Sequence, residues 1–222
     1  MPLETALQRL VDLEYSRVEI CLHEKGNQLK PSDVHANLEQ AIHACRDTQR
    51  LTPVAYSLDI DAPESDYYQQ FASCCKLAKA TKVVIITVPS SELGTPFNAE
   101  IERLRELVRI ATLEGVVVGL KTQVGRMTQD PTTAMVLCDN VKGLAITLDP
   151  SHYVYTTLAS TDYDCLLKYV CHLQLRDTSK QKLQVRIGQG EIEYGRLITQ
   201  LAKFRYNRAL CVNILDIDNE EV

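Results

Sequence analysis

The run GVVVGLKTQVG at 115–125 is small or β-branched and apolar until it reaches Lys121. An ammonium at the end of a buried strand is costly unless a partner answers it. A lysine whose pKa is lowered by burial can serve as a base or form a Schiff base with a carbonyl compound. The plain alternative is a side chain that snorkels into solvent. His152, in GLAITLDPSH (143–152), is the residue type that moves protons near neutral pH, or else one hydrogen-bonded in the interior. Arg176 and Asp177 are adjacent in HLQLRDT (172–178) and read as a local salt bridge fixing their loop. Tyr153 and Tyr155 offer ring faces for stacking on a sugar or for packing. GQGEIEYG (188–195) precedes a helical pattern, where backbone N–H groups could cradle a phosphate, although Glu191 at the helix start opposes an anion.

These residues must be positioned by elements that alternate strictly. Helical periodicity is expected over 3–13, 31–45, 65–80, 98–115, 130–141, 161–171 and 191–204. Strands are expected over 17–23, 51–60, 82–88, 116–123, 143–151, 172–178 and 209–217. Ser32 or Asp33 should cap the second helix, Ser65 or Asp66 the third, Gly115 should end the fourth, and Pro131 should open the fifth. Such alternation argues βα units around a parallel sheet, and the 222 residues suit a single domain over 1–222. The net charge of -5 gives no footprint for nucleic acid, and no apolar run reaches a membrane span, so neither partner is expected. The eight cysteines form no Cys-x-x-Cys pair and read as small apolar residues in a reducing cytoplasm.

From about residue 10 to 215 the chain resembles the xylose isomerase-like TIM-barrel superfamily, which includes sugar phosphate isomerases and epimerases. The resemblance is carried by YSRVEI (15–20), GVVVGLKTQVGRMTQDP (115–131), GLAITLDPSH (143–152), VCHLQLRDT (170–178), IGQGEIEYGRLITQL (187–201) and ALCVNIL (209–215). It implies a (β/α)8 barrel lacking its first strand, with seven visible βα units, the missing piece preceding Met1. In that case the true start lies upstream, another copy covers the open edge as a homo-oligomer, or the edge stays open. Chemistry in such barrels sits at the C-terminal strand ends.

Family members commonly hold one divalent ion with a glutamate, an aspartate, a histidine and a second glutamate. The matching positions here are Lys121, Asp149, Gln174 and Asn213, with His152 three residues after the aspartate as in the family pattern. Three of the four ligand types are changed and both glutamates are absent. The reading taken is that the Lys121 ammonium replaces the metal and faces Asp149, Gln174 and Asn213. No cofactor is then expected; the alternative is a weakly held manganese, magnesium or zinc at Asp149. Glu19 is assigned to the mouth and His23 to the adjoining loop, Arg176 is a candidate substrate contact, and Lys121, Asp149 and His152 are the candidate catalytic groups.

The resemblance implies an isomerase or epimerase-like protein that binds a small sugar, sugar phosphate or polyol. The alternative is a relative that keeps the pocket for ligand binding without turnover. A metal-dependent nuclease on damaged DNA, which shares this fold, fits the acidic charge and the residue set poorly.

Overall fold

A computed structural model describes residues 1–155 and 162–214. The chain divides into two compact units, Met1–Val88 with Glu102–Gly119, and Pro89–Ile101 with Leu120–Val222. The divisions fall inside continuous elements rather than at linkers.

The first unit begins with α1 (Leu3–Asp12), followed by β1 (Arg17–His23). β1 alternates as a strand should: Val18, Ile20 and Leu22 are buried, while Glu19, Cys21 and His23 share the other, half-buried face. It pairs in parallel with β2 (Thr52–Asp59), and the register slips between Val18 and Glu19, opposite Pro53. Proline has no N–H to give to a ladder, so an irregularity belongs there.

Between these strands the helix expected over 31–45 is broken into α2 (Pro31–Ala36) and α3 (Leu38–Arg46). Asn37 interrupts it in a non-helical conformation, and its side chain accepts the Gln40 N–H at 3.0 Å. Asparagine competes with the helical ladder by capping, and here the cap wins. Ser32 does not cap α2. Its N–H and hydroxyl instead donate to Glu24, at 3.2 and 2.6 Å.

The unit continues with α4 (Glu64–Ala80), which buries Phe71, Cys74, Cys75, Leu77 and Ala78 and has Pro63, not Ser65 or Asp66, at its cap. Next come β3 (Ile85–Pro89), α5 (Phe97–Leu113) and β4 (Val117–Lys121). Gly115 ends α5 as expected: its φ of 70° is the left-handed conformation glycine adopts freely, and its N–H returns to Thr112 O at 3.1 Å.

In the second unit Asp130 caps α6 (Pro131–Asn140) through the Thr133 N–H at 2.7 Å, with Pro131 in the first turn as expected. β5 (Ala145–Leu148), β6 (Val170–Leu175) and β7 (Leu210–Val212) pair in parallel, Thr147 with His172 and Gln174 with Cys211. α7 (Ser151–Val154) follows β5 directly, and α8 (Tyr194–Lys203) buries Leu197 and Leu201. The helix expected over 161–171 is a shorter 3-10 helix, Asp164–Tyr169, because Val170 already belongs to β6. Its expected first residue, 161, and the expected last strand beyond 214, with the acidic 216–222 segment, lie outside the described residues. Strand order is that of the chain, β1 to β7, the parallel βα succession of a TIM barrel with seven strands among the described residues.

Candidate functional site

Parallel strands bring the residues that follow them to one end, so the second unit's strand ends collect the chemistry. Lys121 is the last residue of β4, Asp149 follows β5, His152 lies in α7, Gln174 lies in β6, Arg176 follows β6, and Asn213 follows β7. Glu19 and His23 belong to β1 of the first unit, where the His23 ring meets Ser57 Oγ at 3.4 Å.

Asp149 is the centre, with 0% of its surface exposed. One carboxylate oxygen accepts the Ser151 N–H at 3.1 Å and also the Ser151 hydroxyl. The other accepts the Arg176 guanidinium at 2.8 Å, and the His152 ring lies 3.6 Å from it. The backbone of Asp149 is pinned as well, since Thr122 Oγ1 accepts its N–H at 2.8 Å and donates to its carbonyl at 3.2 Å. Ser151 and Thr122 were not singled out by the sequence reading. Asp-x-Ser is the spacing of an Asx-turn, and that signal could have found Ser151.

The cation that answers Asp149 is therefore Arg176, not Lys121. Nor do Arg176 and Asp177 pair with each other. The Asp177 carboxylate accepts three backbone N–H groups, from Thr178 at 3.1 Å, Gly188 at 2.7 Å and Gly190 at 2.9 Å. The glycine loop proposed as a phosphate cradle is thus filled by the chain's own carboxylate. Gly190 is required there, since a Cβ would lie 1.9 Å from Asp177 Oδ1.

His152 Nδ1 accepts the Val124 N–H at 3.3 Å, which assigns the proton of the neutral ring to Nε2, on the side of Asp149. Burial pushes its pKa down to about 4. Asp149 opposes that shift, while the positive charges of Arg176 and Lys121 add to it. The ring is neutral at pH 7 and its lone pair is already engaged, a poor arrangement for a general base.

Gln174 is buried, and its Oε1 accepts from Asn213 Nδ2 at 3.2 Å. Tyr153 is wholly buried, donates to Thr128 O at 2.9 Å and stacks on Tyr163 at 5.6 Å, so it is a packing residue. At these strand ends the second unit offers one carboxylate shared with a guanidinium, two amides bonded to each other, and the ammonium of Lys121. A divalent ion needs several anionic or neutral donors free to turn toward it, and this set does not fit one.

Residues 7–221 match the family described as xylose isomerase-like TIM barrel. Among solved structures the chain is similar to a xylose isomerase-like TIM barrel protein from Mycobacterium smegmatis in complex with magnesium, with a TM-score of 0.77 and 14% identity over 97% of this chain and 82% of that one. It is also similar to the 3-keto-D-glucoside 4-epimerase YcjR from E. coli, with a TM-score of 0.72 and 14% identity over 98% of this chain and 89% of that one. A third is the probable 3-DHS dehydratase AsbF from Bacillus anthracis, with a TM-score of 0.71 and 13% identity over 97% of this chain and 88% of that one. At such identities these likenesses speak for the fold. No curated protein matches the chain.

Proposed function

The chain belongs to the xylose isomerase-like TIM-barrel family, and from that premise we propose that it binds a small sugar, sugar phosphate or polyol at the strand ends of its second unit without a divalent ion and without turnover. The observation that carries this reading is the buried ion pair between Arg176 and Asp149 at 2.8 Å. It sets a fixed cation against the one carboxylate this chain keeps at the positions that the family pattern gives to a metal. Such a cation neutralises Asp149 but has no vacant coordination site at which a substrate oxygen could be polarised.

The remaining groups support binding rather than proton transfer. His152 is neutral with its Nδ1 occupied, and neither Gln174 nor Asn213 can take up a proton from a sugar carbon. The amides can exchange hydrogen bonds with hydroxyls, as polar groups in a pocket do when they orient a ligand. The free thiols fit a reducing compartment, and the cytoplasm is the proposed location. No helix among the described residues is long and apolar enough to cross a membrane.

Elemental analysis of the purified protein, combined with heavy-water exchange over a panel of sugars and sugar phosphates, tests the proposal. The expected result is substoichiometric metal, thermal stabilisation by at least one member of the panel, and no exchange at carbon. Stoichiometric manganese, magnesium or zinc, or solvent deuterium appearing on a sugar carbon, would overturn it.

A further inference from the structure

Strands of a parallel βα array are covered on both faces, and β7 departs from that rule. Cys211 sits opposite Gln174 in the ladder, and Asn213 Nδ2 donates to Gln174 Oε1 at 3.2 Å, so both face the strand-end site. Side chains alternate along a strand, which turns Leu210 and Val212 outward. The Asn213 N–H donates to Leu175 O at 2.8 Å and carries the extended run on to Ile214. On this outer face Leu210 is 50% exposed, Val212 47% and Ile214 36%, whereas Leu173, the register partner of Leu210 on β6, is 0% exposed. The layer that covers β6 therefore stops short of β7. The turn leading into β7 adds charge. Its Tyr206 hydroxyl donates to Ala209 O at 2.6 Å and ties the turn to the start of the strand. Lys203, Arg205 and Arg208 are exposed there beside an exposed Phe204, with no ion-pair partner among the described residues. The stretch 197–214 contains no carboxylate to offset them.

We propose that the outer face of β7 docks an amphipathic α-helix of a partner protein, whose apolar stripe covers Leu210, Val212 and Ile214 and whose acidic flank meets Lys203, Arg205 and Arg208. A helix is the element that completes the outer layer of a parallel βα array. The cationic rim selects an acidic helix, because like charges repel a basic one. A two-fold contact between two copies of this face would bring the same cations together. The net charge of -5 gives the chain no general attraction to an anionic membrane. The surface lies on the side of β7 turned away from the strand-end site, so the inference is independent of the ligand proposed above.

The test is fluorescence anisotropy of a labelled helical peptide of about 18 residues, with leucines along one face and glutamates on the others. Wild type, Val212→Glu and the double variant Arg205→Glu/Arg208→Glu are compared at low salt, each checked by thermal unfolding. The substituted side chains are exposed, so the variants should unfold like wild type. Saturable binding by wild type, weakened at least about tenfold in each variant, is the expected result; a carboxylate buried under the helix, or a reversed rim, is enough for that factor. The same peptide with lysine in place of glutamate should bind wild type at least about tenfold more weakly.

No binding of the acidic peptide, equal binding of the lysine peptide, or binding untouched by Val212→Glu would overturn the inference. Evidence for another occupant would overturn it as well. A sedimenting mass of at least twice 25.0 kDa that Val212→Glu returns to a single chain assigns the face to a second copy. Binding of phosphatidylserine vesicles that is tighter than peptide binding and lost in the same variant assigns it to a membrane. A gain of about tenfold in peptide affinity on truncation after Ile214 assigns it to the chain's own acidic 216–222 segment.

Discussion

At Asp149 the sequence suggested Lys121 as the answering cation, and the structure has Arg176 there instead. Asp149 and His152 are three apart in one short stretch, so their proximity is local and could be read from the chain. Arg176 reaches Asp149 from the next strand end, whereas the sequence suggested a local salt bridge with the adjacent Asp177, whose carboxylate is taken by the backbone amides of Thr178, Gly188 and Gly190. Choice among tertiary partners is set by loop geometry that spacing does not encode. Removing one member of a buried pair leaves an uncompensated charge, so Arg176→Met should lower stability by about 3–5 kcal/mol, and the double variant with Asp149→Asn should recover part of that loss. Urea unfolding midpoints of the two proteins check this; equal midpoints for wild type and Arg176→Met would show that the pair is not formed. His152 supplies a second measurement. Its ring takes up a proton near 6.5 when unfolded and near 4 when folded. Between those values the unfolded chain binds more protons, so stability is complete above 6.5 and falls as the pH drops toward 4, by about 3 kcal/mol. His152→Gln should flatten that limb of the stability profile, and an unchanged slope would place the acid sensitivity elsewhere.

At the level of elements, periodicity located every strand and most helices, and the differences arose where a side chain competes with the ladder or a loop is built by a distant group. Asn37 splits one expected helix because its carbonyl caps the next turn, a signal that was present in the sequence but outweighed by the apolar stripe around it. The segment after β6 was harder. The sequence exposed a glycine-rich cradle, but not that Asp177 fills it from the preceding strand end and ties residues 185–191 back onto 177–178. Two glycines in this region should therefore respond oppositely to alanine. Gly190→Ala puts a methyl group into the Asp177 carboxylate and against Thr178 O at 2.6 Å, so the loop must shift and lose amide bonds. Destabilisation of about 2 kcal/mol or more is expected. Gly195→Ala, in the first turn of α8, meets nothing within 4 Å and should stabilise by about 0.5 kcal/mol by restricting the unfolded chain. Thermal unfolding of both variants measures the contrast, and a neutral Gly190→Ala would mean that the carboxylate is not seated in the loop.

Across the whole molecule the fold was the most legible level, because seven apolar strand runs separated by helical stripes admit few architectures other than a parallel βα array. Ligand chemistry was less legible, since it depends on a few side chains at strand ends that leave little trace in composition. The cysteines connect the two levels. Cys45, Cys74 and Cys75 are buried in the first unit, and Cys138 and Cys171 in the second, so each unit carries its own buried thiols. Burial pushes the Cys75, Cys138 and Cys171 thiols up to about 12, leaving almost no thiolate at pH 8. Cys165 is exposed, and Cys21 and Cys211 are partly so. Native protein treated with iodoacetamide should therefore label at Cys165 first and at Cys21 and Cys211 more slowly. The five buried thiols should react only as the chain unfolds. Followed against urea by peptide mass mapping, their labelling should track the loss of circular dichroism, because a sealed apolar core opens only when its packing fails. Rapid labelling of Cys74 or Cys138 in the absence of denaturant would show that one of the two cores is not closed, and a rigid, preformed set of strand ends could not then be sustained in that unit.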